Sequence, residues 1–479
     1  MNDKLYDFGM VGLGVMGRNL LLNMADHNFA VAGLDLDPAK IAFLHSEAEP
    51  NQQVTGTTSA EEFCKALQKP RAIMLLVPAG KIVDAAIQNL LPHLEAGDIV
   101  IDGGNSYFPD TDRRVAELAM KGVHFFGMGI SGGEKGARYG PSMMPGGDRT
   151  AYERLRPVFE AVAAKVNGEP CVTYLGNGSA GNYVKMVHNG IEYGIMQLIA
   201  ETYDLLKRGL GFSDDELQQV FEKWNATEIQ SYLIEITAEI FKKNDENTNE
   251  KLVNKILDKA GQKGTGKWTS QNAMDLHVPA PTIDMAVIMR DMSAYKEERV
   301  QAAKQLNNSS VGTANNIDKN AFLDQLRNAF YFAALTTYAQ GMVQLQAASK
   351  AYNYGLTLQD VAKIWRGGCI IRAACLEDIR KAYEKNSELP NLLLDDKIGG
   401  ELMQRQTDIR SVIKLAIDKE IPTAAFMSAL CYFDAYKSER LPTNLIQAQR
   451  DYFGAHTYER FDQPGTFHTD WTGESLSKK

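Results

Sequence analysis

Six residues, Gly12-Leu13-Gly14-Val15-Met16-Gly17, constrain what this chain can fold into more than any other stretch. They match G-x-G-x-x-G, follow the apolar run Phe8 to Val11, and precede a helix-like run from Asn19 to Ala25. Between a strand and a helix, such glycines permit a tight turn. They also let the backbone approach a pyrophosphate whose charge meets the helix N-terminus. Asp35 lies 23 residues beyond Gly12, at the end of the next apolar run. That is close to the roughly 20-residue offset at which a carboxylate bonds the adenine ribose hydroxyls. The pattern predicts a dinucleotide site, and the acid favours NAD. A carboxylate there repels the 2′-phosphate of NADP, and neither Leu36 nor Asp37 supplies a compensating arginine. A surface-turn role is the alternative for this acid, since Asp37-Pro38 also reads as a turn.

Apolar runs continue at Ala30 to Leu34, Ala72 to Val77, Ile99 to Ile101 and Val123 to Phe126, separated by helix-like segments. This alternation implies βαβ units and a mostly parallel sheet. After Gly176-Asn177-Gly178 the segments lengthen. Apolar positions then recur at three- and four-residue spacing, as in Tyr183, Met186, Val187, Ile191, Gly194, Ile195 and Leu198. The expected architecture is an α/β Rossmann domain over 1–178, a large all-α domain over 179–437, and an extended C-terminal tail over 438–479 without helical periodicity. A weak repeat aligns Asn182–Asn189 with Ala321–Asn328 and Trp224 with Trp365, suggesting two related helical halves. Only the first copy keeps the pair Lys185 and Glu192, which fall opposite Asp324 and Tyr331.

Composition narrows the class without naming a function. A net charge of −9 gives no bulk attraction to nucleic acid or an anionic membrane, though a local basic pocket for a phosphorylated substrate remains open. The cysteines Cys64, Cys171, Cys369, Cys375 and Cys431 are scattered and form no CxxC pair. They suit reduced thiols better than disulfides or a metal centre, so no metal is expected. Without a leader-like start or an apolar stretch of about 18 residues, a cytoplasmic location is expected.

Ser179 to Asn189 (SAGNYVKMVHN) and Glu192 carry most of the titratable chemistry. At 3.6 residues per turn Lys185 and Glu192 share a helix face, with His188 and Asn189 between them. An amine, an imidazole, a carboxamide and a carboxyl would line one wall; exposed salt-bridge decoration is the competing reading. A second phosphate-like motif, GQKGTGKW at Gly261–Trp268, ends in Trp where a P-loop needs Ser or Thr for magnesium, and follows no strand.

GLGVMGRNL, IDGGNSYFPDT, GMGISGGEKGARYGPSMMPGG, VKMVHNGIEYG, KGTGKWTS and QRDYFGAHTYER occur in this order along nearly the whole chain. Together they resemble the 6-phosphogluconate dehydrogenase family of β-hydroxyacid dehydrogenases. The resemblance implies hydride transfer from C3 of 6-phosphogluconate to NAD or NADP, without a metal. Loss of C1 as carbon dioxide then gives ribulose 5-phosphate, a step of the pentose phosphate pathway and of gluconate use. By that resemblance Lys185 is the general base and Glu192 the acid that protonates C1 of the enediol left by decarboxylation. Asn105, Ser131, Gly132, Gly133, His188 and Asn189 would hold the carboxylate and hydroxyl end of the sugar acid. Tyr193, Lys263, Thr265, Arg290, Arg450 and His456 would close the phosphate end. The tail residues Arg450 and His456 would come from a partner subunit, making the enzyme a homodimer with exchanged tails. Gly12, Leu13, Gly14, Val15, Met16, Gly17, Asp35, Leu36, Asp37, Val77, Pro78, Ala79 and Asn105 would line the cofactor. Here the chain departs from its NADP-using relatives. Asp35-Leu36-Asp37 stands where they typically read Asn-Arg-Ser/Thr, and Val77-Pro78-Ala79-Gly80 where they read Val-Lys-Ala-Gly, so both changes remove positive charge. A β-hydroxyacid dehydrogenase acting on an unphosphorylated substrate and a non-catalytic dinucleotide-binding sensor are the rival readings.

Overall fold

A computed structural model describes residues 5–306 and 318–472. Seven strands form one sheet: β1 (Phe8–Val11), β2 (Val31–Leu34), β3 (Val54–Thr57), β4 (Ala72–Leu75), β5 (Ile99–Asp102), β6 (His124–Ser131) and β7 (Ser142–Gly146). Their order is β3-β2-β1-β4-β5-β6-β7. All neighbours are parallel except β6 and β7, which pair antiparallel from Gly127↔Gly146 to Ser131↔Ser142. The helices of this layer are α1 (Val15–Asp26), α2 (Pro38–Glu47), α3 (Ala60–Ala66), α4 (Lys81–Leu90), α5 (Phe108–Ala119), α6 (Gly133–Tyr139) and α7 (Arg149–Val162). A short hairpin, β8 (Lys165–Val166) with β9 (Glu169–Pro170), follows.

The central strands are short unbroken apolar runs because both faces of the sheet are covered. Successive side chains point to opposite faces. Phe8, Met10, Met74, Ile99 and Ile101 enter one core with α1 and α7; Val11, Ile73, Leu75 and Val100 enter the other with α3 and α4. The order reverses between β1 and β4, which opens a crevice at their carboxyl ends, where the glycine-rich loop lies. The expected strands are present, with Leu76 and Val77 leaving the sheet into the following turn.

The helical part comprises α8 (Ala180–Asp204), α9 (Asp214–Trp224), α10 (Tyr232–Lys242), α11 (Thr265–Asp275), α12 (Pro281–Ser293), α13 (Lys296–Leu306), α14 (Lys319–Ala351), α15 (Leu358–Trp365), α16 (Cys375–Lys385), α17 (Asp396–Asp418) and α18 (Ala424–Tyr436). The aligned segments both fall in long helices, α8 and α14, each followed by a shorter helix that ends on the matching tryptophan. Small residues let the two long helices approach: a Cβ on Gly194 would meet Thr337 Cγ2 at 2.6 Å, and one on Gly341 would meet Ile191 Cδ1 at 2.5 Å. Tyr331, opposite Glu192 in the repeat, hydrogen-bonds Glu401.

By contact density the sheet and most of the helical part form one compact unit, Met1–Leu430, and Cys431–Lys479 a second. Within the second, the stretch expected to lack helical periodicity contains a helix, α19 (Thr443–Gly454). Its apolar pairs Leu445–Ile446 and Tyr452–Phe453, seven residues apart, form an exposed stripe too sparse to stand out between Pro442 and Gly454. Ala455 and Thr457 adopt positive φ and lead to the hairpin of β10 (Tyr458–Glu459) and β11 (Thr466–Phe467). Asp451, fully buried, holds this unit together by accepting from Thr457 N, His468 Nδ1, Thr469 N and Trp471 Nε1. Residues 473–479 of the expected tail lie outside the described residues. Among the described residues no helix is long and apolar enough to cross a membrane, and no group of three or more His, Cys, Asp or Glu could hold a metal ion.

Candidate active site

The glycine-rich loop has the shape a pyrophosphate requires. Gly12 has φ +93°, and a Cβ there would meet Leu76 O at 2.6 Å; on Gly17 it would strike Gly12 O at 1.9 Å. A Cβ on Gly14, by contrast, meets nothing within 4 Å. Gly14 is the N-cap of α1, no side chain caps this helix, and its first turn has no acid. The first-turn N–H groups and the positive end of the helix dipole are thus left for an anion, which fits a dinucleotide. Asp35 is tied to this loop: Oδ2 accepts from Leu13 N at 2.8 Å, Oδ1 from Asp37 N at 3.0 Å, and Lys40 Nζ lies 3.3 Å from both oxygens. Burial alone would raise its pKa, but these backbone N–H groups and the Lys40 ammonium outweigh it and hold the carboxyl below its ordinary value. Asp37 caps α2 through Ala39 N, with Pro38 in the first turn, so the turn reading holds for Asp37. Leu36 is exposed.

Val77, Pro78 and Ala79 occupy the turn after β4, which Gly80 closes at φ +87° as the N-cap of α4. Asn105 lies in the turn after β5. That turn is fixed by fully buried Asp102, which accepts from Ser106 Oγ at 2.6 Å and Gly104 N at 3.0 Å. Arg114, also buried, bridges Asp102 at 3.4 Å, Asp84 at 2.8 Å and Gly80 O at 3.0 Å, locking the two turns together. Lys40 and Arg114 lie outside every motif quoted from the sequence, and nothing within IDGGNSYFPDT marks Asp102 as the partner of Arg114.

Helix α8 brings the titratable wall against the sheet. Its close approach depends on glycines in β6 and β7. A Cβ on Gly129 would lie 2.3 Å from Lys185 Cβ, and one on Gly146 would lie 2.3 Å from Gly181 N. Lys185, His188 and Asn189 are all buried. Lys185 Nζ is 3.3 Å from His188 Nδ1, and Glu192 Oε2 is 3.8 Å from the same nitrogen. His188 Nδ1 is also 3.0 Å from Asn189 Oδ1, its Nε2 is 3.2 Å from Ser131 Oγ, and Asn189 Nδ2 donates to Thr265 Oγ1 at 3.1 Å. Burial lowers the Lys185 pKa against the opposing pull of Glu192 and Cys369. It also drives His188 well below its ordinary value, with the Lys185 charge acting in the same sense. For Glu192 burial raises the pKa, partly offset by Lys185 and Arg290. Burial therefore moves the amine and the imidazole to lower pKa and the carboxyl to higher pKa, each toward its uncharged form. Exposed salt-bridge decoration does not describe it.

Of the remaining residues of unit 1, Arg290 acts on Glu192, Thr265 bonds Asn189 and Ser131 meets His188. Arg290 stacks over the Tyr193 ring at 3.4 Å and donates to Gly261 O at 3.1 Å. Thr265 opens α11 behind Gly264, which takes φ +100°, and Lys263 precedes it, exposed. Ser131 ends β6, and Gly132 and Gly133 follow at φ +124° and +61°. Arg450 and His456 belong to the second unit. There Arg450 bonds Gln447 Oε1 at 3.1 Å, and the His456 ring packs edge-on against Phe453 at 5.8 Å.

A sheet that reverses at a glycine-rich, dinucleotide-shaped loop, with a helix against its β6–β7 edge that carries a buried lysine and a carboxyl of raised pKa, defines a nicotinamide-dependent dehydrogenase. Residues 7–176 match the model for the NAD binding domain of 6-phosphogluconate dehydrogenase, and residues 181–471 that for its C-terminal domain. The chain is 53% identical over 463 residues to the NADP(+)-dependent, decarboxylating 6-phosphogluconate dehydrogenase of Bacillus subtilis, covering 97% of this chain and 98% of that one. It is 53% identical to the decarboxylating 6-phosphogluconate dehydrogenase of Lactococcus lactis strain IL1403, with 98% and 99% covered. The Plasmodium falciparum 6-phosphogluconate dehydrogenase, solved apo, with NADP+ and with 6-phosphogluconate, superposes with a TM-score of 0.94 at 45% identity, covering 97% of this chain and 100% of that one. The chain belongs to the 6-phosphogluconate dehydrogenase family.

Proposed function

We propose that this protein oxidises and decarboxylates 6-phosphogluconate to ribulose 5-phosphate and carbon dioxide, using a nicotinamide dinucleotide. The observation that carries the reading is the Lys185–His188–Glu192 wall, whose burial favours a neutral base and a protonated acid on one helix face. The glycine-rich loop and Asp35 would hold a nicotinamide dinucleotide, which would supply the hydride acceptor. Lys185, neutral at the start, takes the C3 hydroxyl proton as the hydride leaves C3. The 3-keto acid so formed holds its carboxylate β to a ketone, an electron sink. Lys185 returns its proton to that ketone oxygen as the C1–C2 bond breaks and carbon dioxide departs. Glu192 then delivers its proton to C1 of the enediol, counted as in the product, a role its raised pKa suits, while Lys185 takes back the proton of the C2 hydroxyl and leaves the ketone of ribulose 5-phosphate. Asn105, Ser131, Gly132, Gly133, His188 and Asn189 hold the carboxylate and hydroxyl end.

Tyr193, Lys263, Thr265 and Arg290 receive the phosphate end, the cations supplying charge-assisted hydrogen bonds. This set favours a phosphorylated over an unphosphorylated substrate. Arg450 and His456 complete that end from a partner subunit, so the working form is a homodimer with exchanged tails, in the cytoplasm. The dinucleotide domain runs over 1–178, the helical domain over 179–437 and the tail over 438–479. NAD is the preferred cofactor: Asp35 is a fixed carboxylate suited to ribose hydroxyls, and Lys40 is already engaged with it. Initial rates of reduced-cofactor formation on 6-phosphogluconate, with NAD and NADP in parallel and carbon dioxide trapped, test the whole reading. Turnover favouring NAD is expected. Turnover favouring NADP would keep the reaction and overturn the Asp35 argument, and no turnover with either would overturn the reaction.

A further inference from the structure

We infer that the turn closing α15, Trp365 to Ile370, is a positioning element for the proton-transfer wall, and that Trp365 acts on the reaction through His188. Trp365 is fully buried and meets the His188 ring edge-to-face, with centroids 5.7 Å apart and an interplanar angle of 74°. Its Nε1 finds no hydrogen-bond partner. Keeping an indole whose N–H is buried and unpaired costs free energy. What the site uses is therefore the size and position of the ring.

The residues after Trp365 reach the other groups around His188. Ile370 N donates to Ser131 Oγ at 3.2 Å, and Ser131 Oγ is the atom 3.2 Å from His188 Nε2. Gly368 O accepts from Ser142 N at 2.8 Å and sits 2.6 Å from where a Cβ on Gly132 would be. Ser142 Oγ donates to Ile364 O at 2.7 Å, fixing the end of α15 to the sheet edge. The Cys369 thiol donates to Trp365 O at 3.1 Å and faces Lys185. One turn from the second helical half thus touches His188, the hydroxyl beside it and the Ser131–Gly133 turn. The charged groups around His188 are Lys185 and Glu192, with Cys369 beyond Lys185 and Arg290 beyond Glu192.

The inference rests on Lys185 as the base, so its test reads the protonation of that group. Replacing Trp365 by Leu opens space beside His188. Water entering there relieves the desolvation that lowers the Lys185 pKa, and the acid limb of the kcat/KM profile moves to higher pH. Trp365→Leu is expected to lower kcat/KM for 6-phosphogluconate by about tenfold or more, with an unchanged KM for the dinucleotide and the acid limb shifted upward. Trp365→Phe should restore most of both losses. A folded Trp365→Leu enzyme with wild-type kcat/KM and an unmoved limb would overturn the inference, as would equal losses toward both substrates. If Trp365→Leu does not fold, Gly368→Ala decides. Gly368 has φ +66° and a Cβ there would meet Gly140 O at 2.6 Å, so KM should rise for the sugar acid alone; unchanged kinetics overturn the claim. If the unmodified enzyme does not turn over 6-phosphogluconate, the proposed reaction falls separately. The positioning claim is then read from the ring-nitrogen NMR shifts of His188, where a change in Trp365→Leu that Trp365→Phe largely reverses supports it and unchanged shifts in Trp365→Leu overturn it.

Discussion

Gly129→Ala tests whether the close seat of α8 on β6 is what places Lys185. The added Cβ would lie 2.3 Å from Lys185 Cβ, whereas ordinary contact begins at 3.4 Å, so strand and helix must separate by about 1.1 Å. Overpacking of this kind costs about 1–3 kcal/mol of stability, which a domain of this size can survive folded. Misplacing a reacting group by about 1 Å costs on the order of 100-fold in rate. Purified Gly129→Ala is therefore expected to unfold at a lower temperature and to lose about two orders of magnitude in kcat with 6-phosphogluconate, while dinucleotide affinity measured by fluorescence titration stays unchanged. Gly14→Ala provides the opposite pattern. Its backbone is extended (φ −62°, ψ −178°) and a Cβ meets no protein atom. It should keep wild-type stability and bind the dinucleotide about tenfold more weakly, because the methyl fills the approach to the pyrophosphate. A Gly129→Ala enzyme that is destabilised yet retains kcat within twofold would refute the claim that helix seating controls the base.

Two further outcomes follow from single carboxyls. Asp35→Asn combined with Leu36→Arg should raise the ratio of kcat/KM for NADP over NAD by about tenfold or more; an unmoved ratio would show that Asp35 does not read the ribose. Glu201, buried in α8, accepts from Ala425 N at 2.8 Å and Phe426 N at 3.1 Å, yet burial pushes its pKa up to about 7. Because its folded pKa is raised from 4.5, its neutral form stabilises the fold fully below about pH 4.5, and that contribution is lost as the pH rises through about 7. The loss amounts to about 3 kcal/mol. Glu201→Gln should flatten the fall in thermal midpoint between pH 5 and 8, and an unchanged slope would remove Glu201 as its source.

How far the sequence discloses this architecture depends on whether a feature is local. β1, β2, β4 and β5 stand out as short, largely apolar runs covered on both faces, whereas of β6 only His124 to Phe126 falls in the expected run and its glycine-rich remainder to Ser131 does not. β3 (VTGT) is only half buried and carries a glycine, and β7 (SMMPG) ends in Pro-Gly at an antiparallel edge, so neither shows the expected pattern. Lys185, His188, Asn189 and Glu192 could be grouped because seven residues of helix return to one face. The contact of Ser131 with Ile370 spans 239 residues and leaves no periodic trace. The alignment of Trp224 with Trp365 was the one local hint that the second half contains a residue of consequence. It gives no sign of the His188 ring. Lys40 was likewise hidden, because its pairing with Asp35 depends on α2 starting at Pro38 and turning the amine back toward the loop.

The central claim is that Lys185 drives oxidation coupled to decarboxylation, and product stoichiometry tests it most directly. Unmodified enzyme incubated with 6-phosphogluconate and NAD, assayed for reduced cofactor, trapped carbon dioxide and ribulose 5-phosphate, should give the three in equal amounts. Lys185→Ala should still bind the dinucleotide and form none of them. Reduced cofactor without carbon dioxide, or full turnover by Lys185→Ala, would contradict the account.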